Sequence, residues 1–554
     1  MSLSPMAADA MRSALQLLPI RAPASDRDFL VRGRLPSDLL ETRQRLDELF
    51  PFAVQARHDL LRLALSWSGQ YVSDERLERF SEETRALPAV LSGHQPELFH
   101  PGVWFKNFFL HGLAQRMGRV AINLIVDNDQ QNRNWLSFPV EESGKTIVRR
   151  ENFDYGGIGL PYEERQVNAA KLFEDFVSRV QHRVPPFVNA GILPKFWEQV
   201  LSSSQSVVGY RFATARHRLE WEHGLTNLEV PLSQVCQTEG FYQFAFRVLE
   251  RGQEFFQHYN EVLTEYREVN GLSGADRPVP NLERVGEWLE MPFWIWSESY
   301  PQRQRLFVRS GIEGPEIASE RGITHGATSG LKPVRVLSHS ALGKLDDWKL
   351  RTRALTTTMF SRSILSDCFL HGIGGAIYDQ IGDEVFRRFW GVPLPDYLTA
   401  TATFRLPGPH RSVSEERLLD AKAKLRDMRW KPEKFLEENA AAEGLVAEKQ
   451  KLLANIPSQN KRSWQERIED VNQQLRAMLR PAIQKQQSDT VQLSNDLHSR
   501  AIEMNREWSF VLYPTTLPGE LLSLAEEALA RFFRSADRKQ AIDVQRKDTS
   551  RLSG

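Results

Sequence analysis

Apolar and polar positions fall into alternating blocks along the chain, and the stretch from Leu87 to Asp129 shows the pattern most sharply. Ala89-Val90-Leu91, opened by Pro88 and closed by Ser92-Gly93, reads as a buried strand between turn residues. A polar loop follows (His94-Gln95-Pro96-Glu97), and Pro101 then suits the first position of a helix. Val103 to Met117 is apolar almost throughout, with Asn107, His111 and Gln115 forming a narrow polar stripe at i, i+4 spacing. Gly118 supplies a helix stop, and Val120 to Val126 is a second apolar strand ending in Asp127-Asn128-Asp129. Strand, helix and strand at this spacing predict a βαβ unit, hence a parallel sheet. Ligands of such sheets sit beyond the carboxyl ends of the strands, where His94/Gln95 and Asp127/Asp129 fall.

The same reading extends to either side. Residues 1–85 predict a helical arm, with Ser37-Asp38 capping a helix from Leu39 and Ala56–Ser66 continuing the pattern. Strand is expected at Phe138–Val140 and Lys145–Val148, loop at Asn152–Pro161, and helix at Leu172–Val180, Leu193–Val207 and Phe241–Glu268. Residues of about 150–290 thus form a helical insertion between strands of one core, 86–410. The chain is expected back in the sheet at Met291–Trp296, Arg305–Val308 and Val334–Leu337, with a turn containing Arg303 between the first two. A helix carrying Trp348-Lys349-Leu350-Arg351 comes next. His371–Asp379 holds three glycines, which let backbone approach a ligand; a tight strand-to-helix turn explains them equally well, and no G-x-G-x-x-G is present.

From Arg411 glycine nearly vanishes. Trp464, Ile468, Val471, Leu475 and Met478 recur at 4, 3, 4, 3 spacing, the seam of a coiled coil. With a break at Ile456–Asn460, residues 411–508 predict an antiparallel hairpin of two arms, each roughly 45 residues and about 65 Å long, kinked at Pro432 and Pro481. Residues 509–554 predict a return through Val511–Pro514, a short helix over Gly519–Phe533, and a disordered tail after Ser535.

Composition narrows the classes. The chain has 554 residues with 71 basic and 71 acidic side chains, so no overall field favours nucleic acid or an anionic membrane. Two cysteines, Cys236 and Cys368, exclude a disulfide scaffold and a cysteine-rich zinc site and fit a reducing cytoplasm. Met1 to Ile20 lacks the layout of a signal peptide, and no apolar run approaches the roughly 20 residues that cross a bilayer.

The run Ser92-Gly93-His94-Gln95-Pro96-Glu97-Leu98-Phe99-His100-Pro101-Gly102-Val103-Trp104-Phe105-Lys106 resembles the signature of the bacillithiol-biosynthesis cysteine-adding enzymes. That family opens a Rossmann-like domain with a Gly-Gln-Gln segment, a Gly-Pro turn and a helical Lys; here His94 stands in place of the first Gln. Downstream the order also matches: Asp127-Asn128-Asp129, Gly374-Gly375 before Tyr378, Phe389–Pro395, a strand at Thr401–Phe404, and the hairpin. The resemblance implies a Rossmann-like α/β core with helical insertions and a coiled-coil hairpin. It implies a carbon–nitrogen ligase joining cysteine to a glucosaminyl-malate, related in fold to class I tRNA synthetases. Those relatives often carry His-x-Gly-His; this chain has only His100-Pro101-Gly102.

Amide formation needs an activated carboxyl, a bound amine and stabilisation of developing negative charge. Lys106, near a helix start, could hold phosphate or carboxylate, His94 could move protons, and Asp127 with Asp129 could hold an ammonium or Mg²⁺. The bland alternatives are a rim charge for Lys106, a turn hydrogen bond for His94 and a helix cap for Asp127. The resulting expectation is a pocket with His94, Lys106 and Asp127 as catalytic residues. Gln95, His100, Asn128, Asp129, Gly374, Gly375 and Tyr378 would hold substrate. Its occupants would be small molecules, cysteine and a sugar conjugate, with ATP or ADP and Mg²⁺ as open cofactor candidates and no protein metal ligands assigned. Nucleic acid and membrane are not expected, and a homodimer stays open. Two other classes remain: a nucleotide- or sugar-binding α/β enzyme of other specificity, and a non-catalytic protein working through its hairpin.

Overall fold

A computed structural model describes residues 15–16, 20–33, 39–72, 77, 89–184, 191–273, 279–324, 330–408, 410–436 and 440–552. The Ser37-Asp38 cap, Pro88 and most of Met1–Ile20 lie outside the described residues.

Six strands form the central sheet: β1 (Asp28–Gly33), β2 (Ala89–His94), β3 (Val120–Ile125), β6 (Leu228–Pro231), β13 (Cys368–His371) and β14 (Tyr397–Thr403). Their order is β1-β14-β13-β2-β3-β6, with only β1 antiparallel. The two predicted strands are parallel neighbours, Ala89 opposite Val120. Among the parallel strands alone, chain order runs outward in both directions from the β2/β13 boundary, which makes the sheet doubly wound and that boundary its switch point.

The side-chain period of two divides each strand between two cores. Val90, Ala121, Leu370 and Ala400 face one of them, together with α3 (Pro101–Met117) and α4 (Val208–Glu222). Ala89, Leu91, Val120, Ile122 and Phe369 face the other, with α2 (Ala53–Ser68), which follows α1 (Leu39–Leu49), and with α8 (Ile373–Trp390). Helix α3 is apolar nearly all round because it is covered twice: by the sheet inside, and outside by α13 (Leu517–Leu552), whose Leu529 fills the place of a side chain at Gly112. Two residues of the polar stripe on α3 turn toward α4 and the loop after it, Asn107 Nδ2 donating to Glu220 Oε1 at 2.8 Å and His111 Nδ1 accepting from the Thr226 amide, while Gln115 is exposed.

Several expectations need correction. Met291–Trp296 and Arg305–Val308 do not rejoin the parallel sheet. They lie in β8 (Trp288–Ser297) and β9 (Gln304–Gly311) of a second, antiparallel sheet with β7 (Arg284–Val285), β10 (Gly314–Ser319), β11 (Val334–Arg335) and β12 (Trp348–Thr352). Short hairpin connections such as Gly311–Gly314 make the antiparallel arrangement the direct one. Trp348–Arg351 is therefore strand, not helix, paired with β8 from Trp348 opposite Ser297. The long helix expected over Phe241–Glu268 is two, α5 (Glu239–Glu250) and α6 (Gly252–Asn270), and a Cβ on Gly252 would sit 2.6 Å from Val308 Cγ1. The N-terminal segment, expected to be an irregular arm followed by helices, also supplies β1. The tail expected to be disordered after Ser535 continues α13 to Leu552, through a stretch free of Gly and Pro.

Strands β4 (Trp135–Glu142) and β5 (Lys145–Asn152) pair as a separate hairpin. Beyond the core, α9 (Glu415–Trp430) packs on α12 (Arg480–Glu503), and α10 (Ala440–Ala454) packs on α11 (Lys461–Met478). Both arms are divided at the predicted prolines: a 3₁₀ turn runs over Pro432–Phe435, and Leu479 separates α11 from α12 just before Pro481. Of the stripe on α11, Val471 and Leu475 are fully buried, while Met478 is exposed. Helix α12 also packs on β5, where the Thr146 amide donates to Ser499 Oγ at 2.9 Å. Among the described residues no helix is long and apolar enough to cross a membrane.

Candidate active site at the sheet switch point

The carboxyl ends of β2 and β13 flank the switch point, and each leads into a helix. Between β2 and α3 the chain turns through His94–His100; His100 caps α3, its Nδ1 accepting from the Gly102 amide at 3.1 Å, and Pro101 fills the first turn. Gly102 is required by close approach, since a side chain there would strike the Ala402 carbonyl and Arg506.

Lys106 lies one turn further into α3 and reaches back across the end of β2. Its Nζ donates to the Gly93 carbonyl at 2.9 Å, and its Cδ and Cε run 3.8 and 3.9 Å from where a Cβ on Gly372 would stand. Gly372 caps α8 at the end of β13, so the lysine stem crosses the switch point itself. Lys106 is 4% exposed and has no carboxylate partner among the described residues, and burial lowers its pKa to about 8. The ammonium is thus desolvated without being neutralised. His94, at the end of β2, is lowered to about 3 by burial and then by Lys106. With its Nδ1 donating to the Gln95 carbonyl at 2.9 Å, the neutral ring leaves Nε2 as a free base.

Across the switch point stands a group that the sequence reading left unassigned. His371 ends β13, and its Nε2 lies 2.9 Å from Asp379 Oδ2 on α8. Asp379 also accepts from Thr358 on α7 (Ala354–Phe360) and from Arg362, and the guanidinium and imidazole hold its carboxyl below the usual range despite burial. Gly375 is small because a Cβ there would sit 2.7 Å from His371 Nδ1. Gly374 faces open space and Tyr378 is exposed, so these two predicted contacts flank the cluster rather than enter it. The signal available in the sequence was the placement of His371 at a strand end, with Asp379 two turns along the next helix.

The acidic cluster after β3 is engaged in holding elements together. Asp127 is fully buried and accepts from the Ser233 amide and hydroxyl and from Tyr210 Oη at 2.7 Å; burial and the nearby Glu163 raise it to about 7. Asn128 Nδ2 donates to the Thr352 carbonyl at 2.8 Å and so ties the first sheet to the second. Asp129 accepts from Gln95 Nε2 and Arg303 Nη1, each at 2.9 Å, which joins two predicted substrate contacts to each other.

On the outer side of β2 lies a cleft of about 620 Å³ between the His94–Val103 turn, the β4–β5 hairpin and Asn505–Ser509. His94 and His100 line it. Lys106, Asp127 and Gly374 do not. Sequence reasoning missed its other polar walls: Glu97, raised by burial, Tyr162, whose hydroxyl donates to Glu97 at 3.4 Å, and the exposed Arg133 and Arg150, the latter stacked 5.2 Å from Trp135. The structure therefore brings His94, His100 and Lys106 to one strand end and sets Asp127 apart in the framework.

No family model matches the chain, and no curated protein matches it. Among solved structures, the tryptophanyl-tRNA synthetase of Plasmodium falciparum is similar at 10% identity and a TM-score of 0.22, covering 86% of this chain and 96% of that one. A product-bound parasite tRNA synthetase is similar at 9% identity and a TM-score of 0.22, covering 86% and 95%. Overlap this shallow carries no argument about activity.

Proposed function

We propose that the chain is an amide-forming ligase that holds an anionic group of its substrate at the switch point. The observation that carries this reading is Lys106: a buried ammonium with no carboxylate partner among the described residues, reaching across the ends of β2 and β13 beside the first turn of α8. A carboxylate or phosphate arriving there would gain a charge-assisted hydrogen bond and the free amides of a helix start. The same cation would stabilise the oxyanion that develops when an amine attacks an activated carboxyl. His94, held uncharged beside the lysine, offers its neutral Nε2 as a hydrogen-bond acceptor for the amine, and the proton that the amine loses on attack leaves with the departing group of the activated carboxyl. The finer reading, cysteine joined to a glucosaminyl-malate-like conjugate, rests on the resemblance of Ser92–Lys106 and the motifs that follow it.

The test is calorimetry of the wild type and Lys106→Ala against ATP, ADP, cysteine and a sugar-malate conjugate. Loss of the contact should weaken binding of the anionic ligand about ten- to a hundredfold. If the wild type binds one of these anions and Lys106→Ala binds it equally well, the assignment of the site is wrong. If nothing binds the wild type, the ligase reading itself falls.

A further inference from the structure

A second buried cluster lies between α3, α4, β3 and β6, and its donors and acceptors do not balance. Asn123 and Glu229 are register partners on β3 and β6, and Asn123 Nδ2 donates to Glu229 Oε1 at 2.6 Å. Arg216 bridges the two carboxylates, Nη1 to Glu220 Oε1 and Nη2 to Glu229 Oε1, each at 2.5 Å. Glu220 Oε1 also accepts from Trp104 Nε1 at 2.6 Å and Asn107 Nδ2 at 2.8 Å. Every donor is thus spent on the Oε1 atoms. Among the described residues, Glu220 Oε2 and Glu229 Oε2 accept nothing, and neither do Asn123 Oδ1 and Asn227 Oδ1. Glu220, Glu229 and Asn227 are 0% exposed and Asn123 4%, so these orphaned oxygens have no bulk water to turn to. Two carboxylates against one guanidinium also leave a net negative charge in the interior.

His217 completes the pattern. It stands one helical turn before Glu220 on α4, and one ring nitrogen lies within 4.8 Å of an oxygen of each glutamate. Its Nδ1 faces Tyr71 Oη at 2.8 Å, while its Nε2 faces a donor and an acceptor together, Trp221 Nε1 at 2.9 Å and the Asn227 carbonyl at 2.8 Å. A nitrogen that bears either a proton or a lone pair can serve only one of those two.

We propose that this cluster is a structural divalent-cation site. Glu220 Oε2, Glu229 Oε2 and His217 would be its ligands, with an Asn123 or Asn227 amide oxygen able to complete the shell. One imidazole with hard carboxylate oxygens selects Zn²⁺ or Mn²⁺ over Ca²⁺. The cation turns the excess of acceptors into ligands, reverses the uncompensated charge, and clamps α4 to the edge strand β6. Enclosure makes the site structural rather than catalytic, and uptake is coupled to folding. This assignment is independent of the switch-point chemistry.

The experiment uses the full chain, expressed in medium supplemented with Zn²⁺ or Mn²⁺ and purified without chelator. Elemental analysis should find about one cation per chain after desalting, with Glu229→Gln and Glu220→Gln losing it. Since those variants could fail to fold, the wild type is also unfolded with chelator and refolded with Zn²⁺, Mn²⁺, Co²⁺ or none. The expected results are a higher unfolding midpoint with metal and visible Co²⁺ absorption of a nitrogen–oxygen site. Metal-free wild type whose midpoint ignores added cations would overturn the proposal. Stoichiometric metal retained in folded Glu229→Gln and Glu220→Gln would overturn it too, by putting the ion elsewhere.

Discussion

At the scale of single residues, the groups that shape the switch point are those whose burial lacks full compensation. Lys106 is the clearest. Its folded pKa of about 8 lies below the ordinary 10.5, so between those values the native chain binds fewer protons than the unfolded one. The stability linked to Lys106 is therefore full above pH 10.5 and lost as pH falls through 8. Lys106→Met should accordingly be more stable than the wild type at pH 7, by up to on the order of 3 kcal/mol, the gain shrinking as pH rises from 8 to 10.5. Guanidinium unfolding at both ends of that range measures it, and a gain that did not change with pH would refute the buried-ammonium account. Gly102→Ala should have the opposite effect, destabilising by about 1–3 kcal/mol, because the new methyl strikes the Ala402 carbonyl and Arg506. Thermal unfolding decides that case, and an unchanged midpoint would mean the start of α3 can move away from β14.

Elements were legible in the sequence where one local pattern decided them. Ala89–Leu91, Pro101–Met117 and Val120–Val126 are bounded by turn and cap residues and buried over most of their length, and they appear where the pattern puts them. Trp348–Thr352 was misread because five residues are too few to separate periods of 2 and 3.6; pairing with β8 decides the matter, and that pairing is non-local. The four-residue strand β6 gave no periodic signal, although Glu229 on it holds the acidic cluster to β3. Among the outer helices, heptad spacing marked five positions on α11, yet only Val471 and Leu475 are fully buried, since the turn at Pro432 interrupts the facing helices and α11 itself ends just before Pro481. Leu475→Asp should therefore separate α11 from its neighbours and lower the helical signal of the chain, whereas Met478→Asp should not. Circular dichroism of the two variants tests this, and equal losses would mean that the spacing, not the burial, identifies the seam.

For the molecule as a whole, the candidate site was legible as a place and only partly as a set of residues. Parallel strands force the βα turns to one edge, so His94 and Asp127 were bound to share it. Which of them is free for chemistry depends on Tyr210 and Ser233, whose approach to Asp127 comes from elements remote in sequence. The same long-range burial sets a pH dependence that no motif announces. His94 and His100 are held down to about 3 and about 4, His94 by burial and Lys106, His100 by burial and then Arg506 and Lys106. Both imidazoles stay uncharged beside the lysine, with folded pKa values below the ordinary 6.5. Between 6.5 and those values the unfolded chain binds more protons than the native one, so the stability they contribute is full above pH 6.5 and is lost as pH falls toward 4 and 3. His100→Asn keeps an oxygen acceptor at the cap of α3 while removing the titration. Its unfolding midpoint should therefore fall less steeply than that of the wild type from pH 6.5 to about 4, with near-equal midpoints above pH 7. Parallel slopes in a denaturation series across that window would show that His100 carries its charge in the folded chain despite Arg506 and Lys106 beside it.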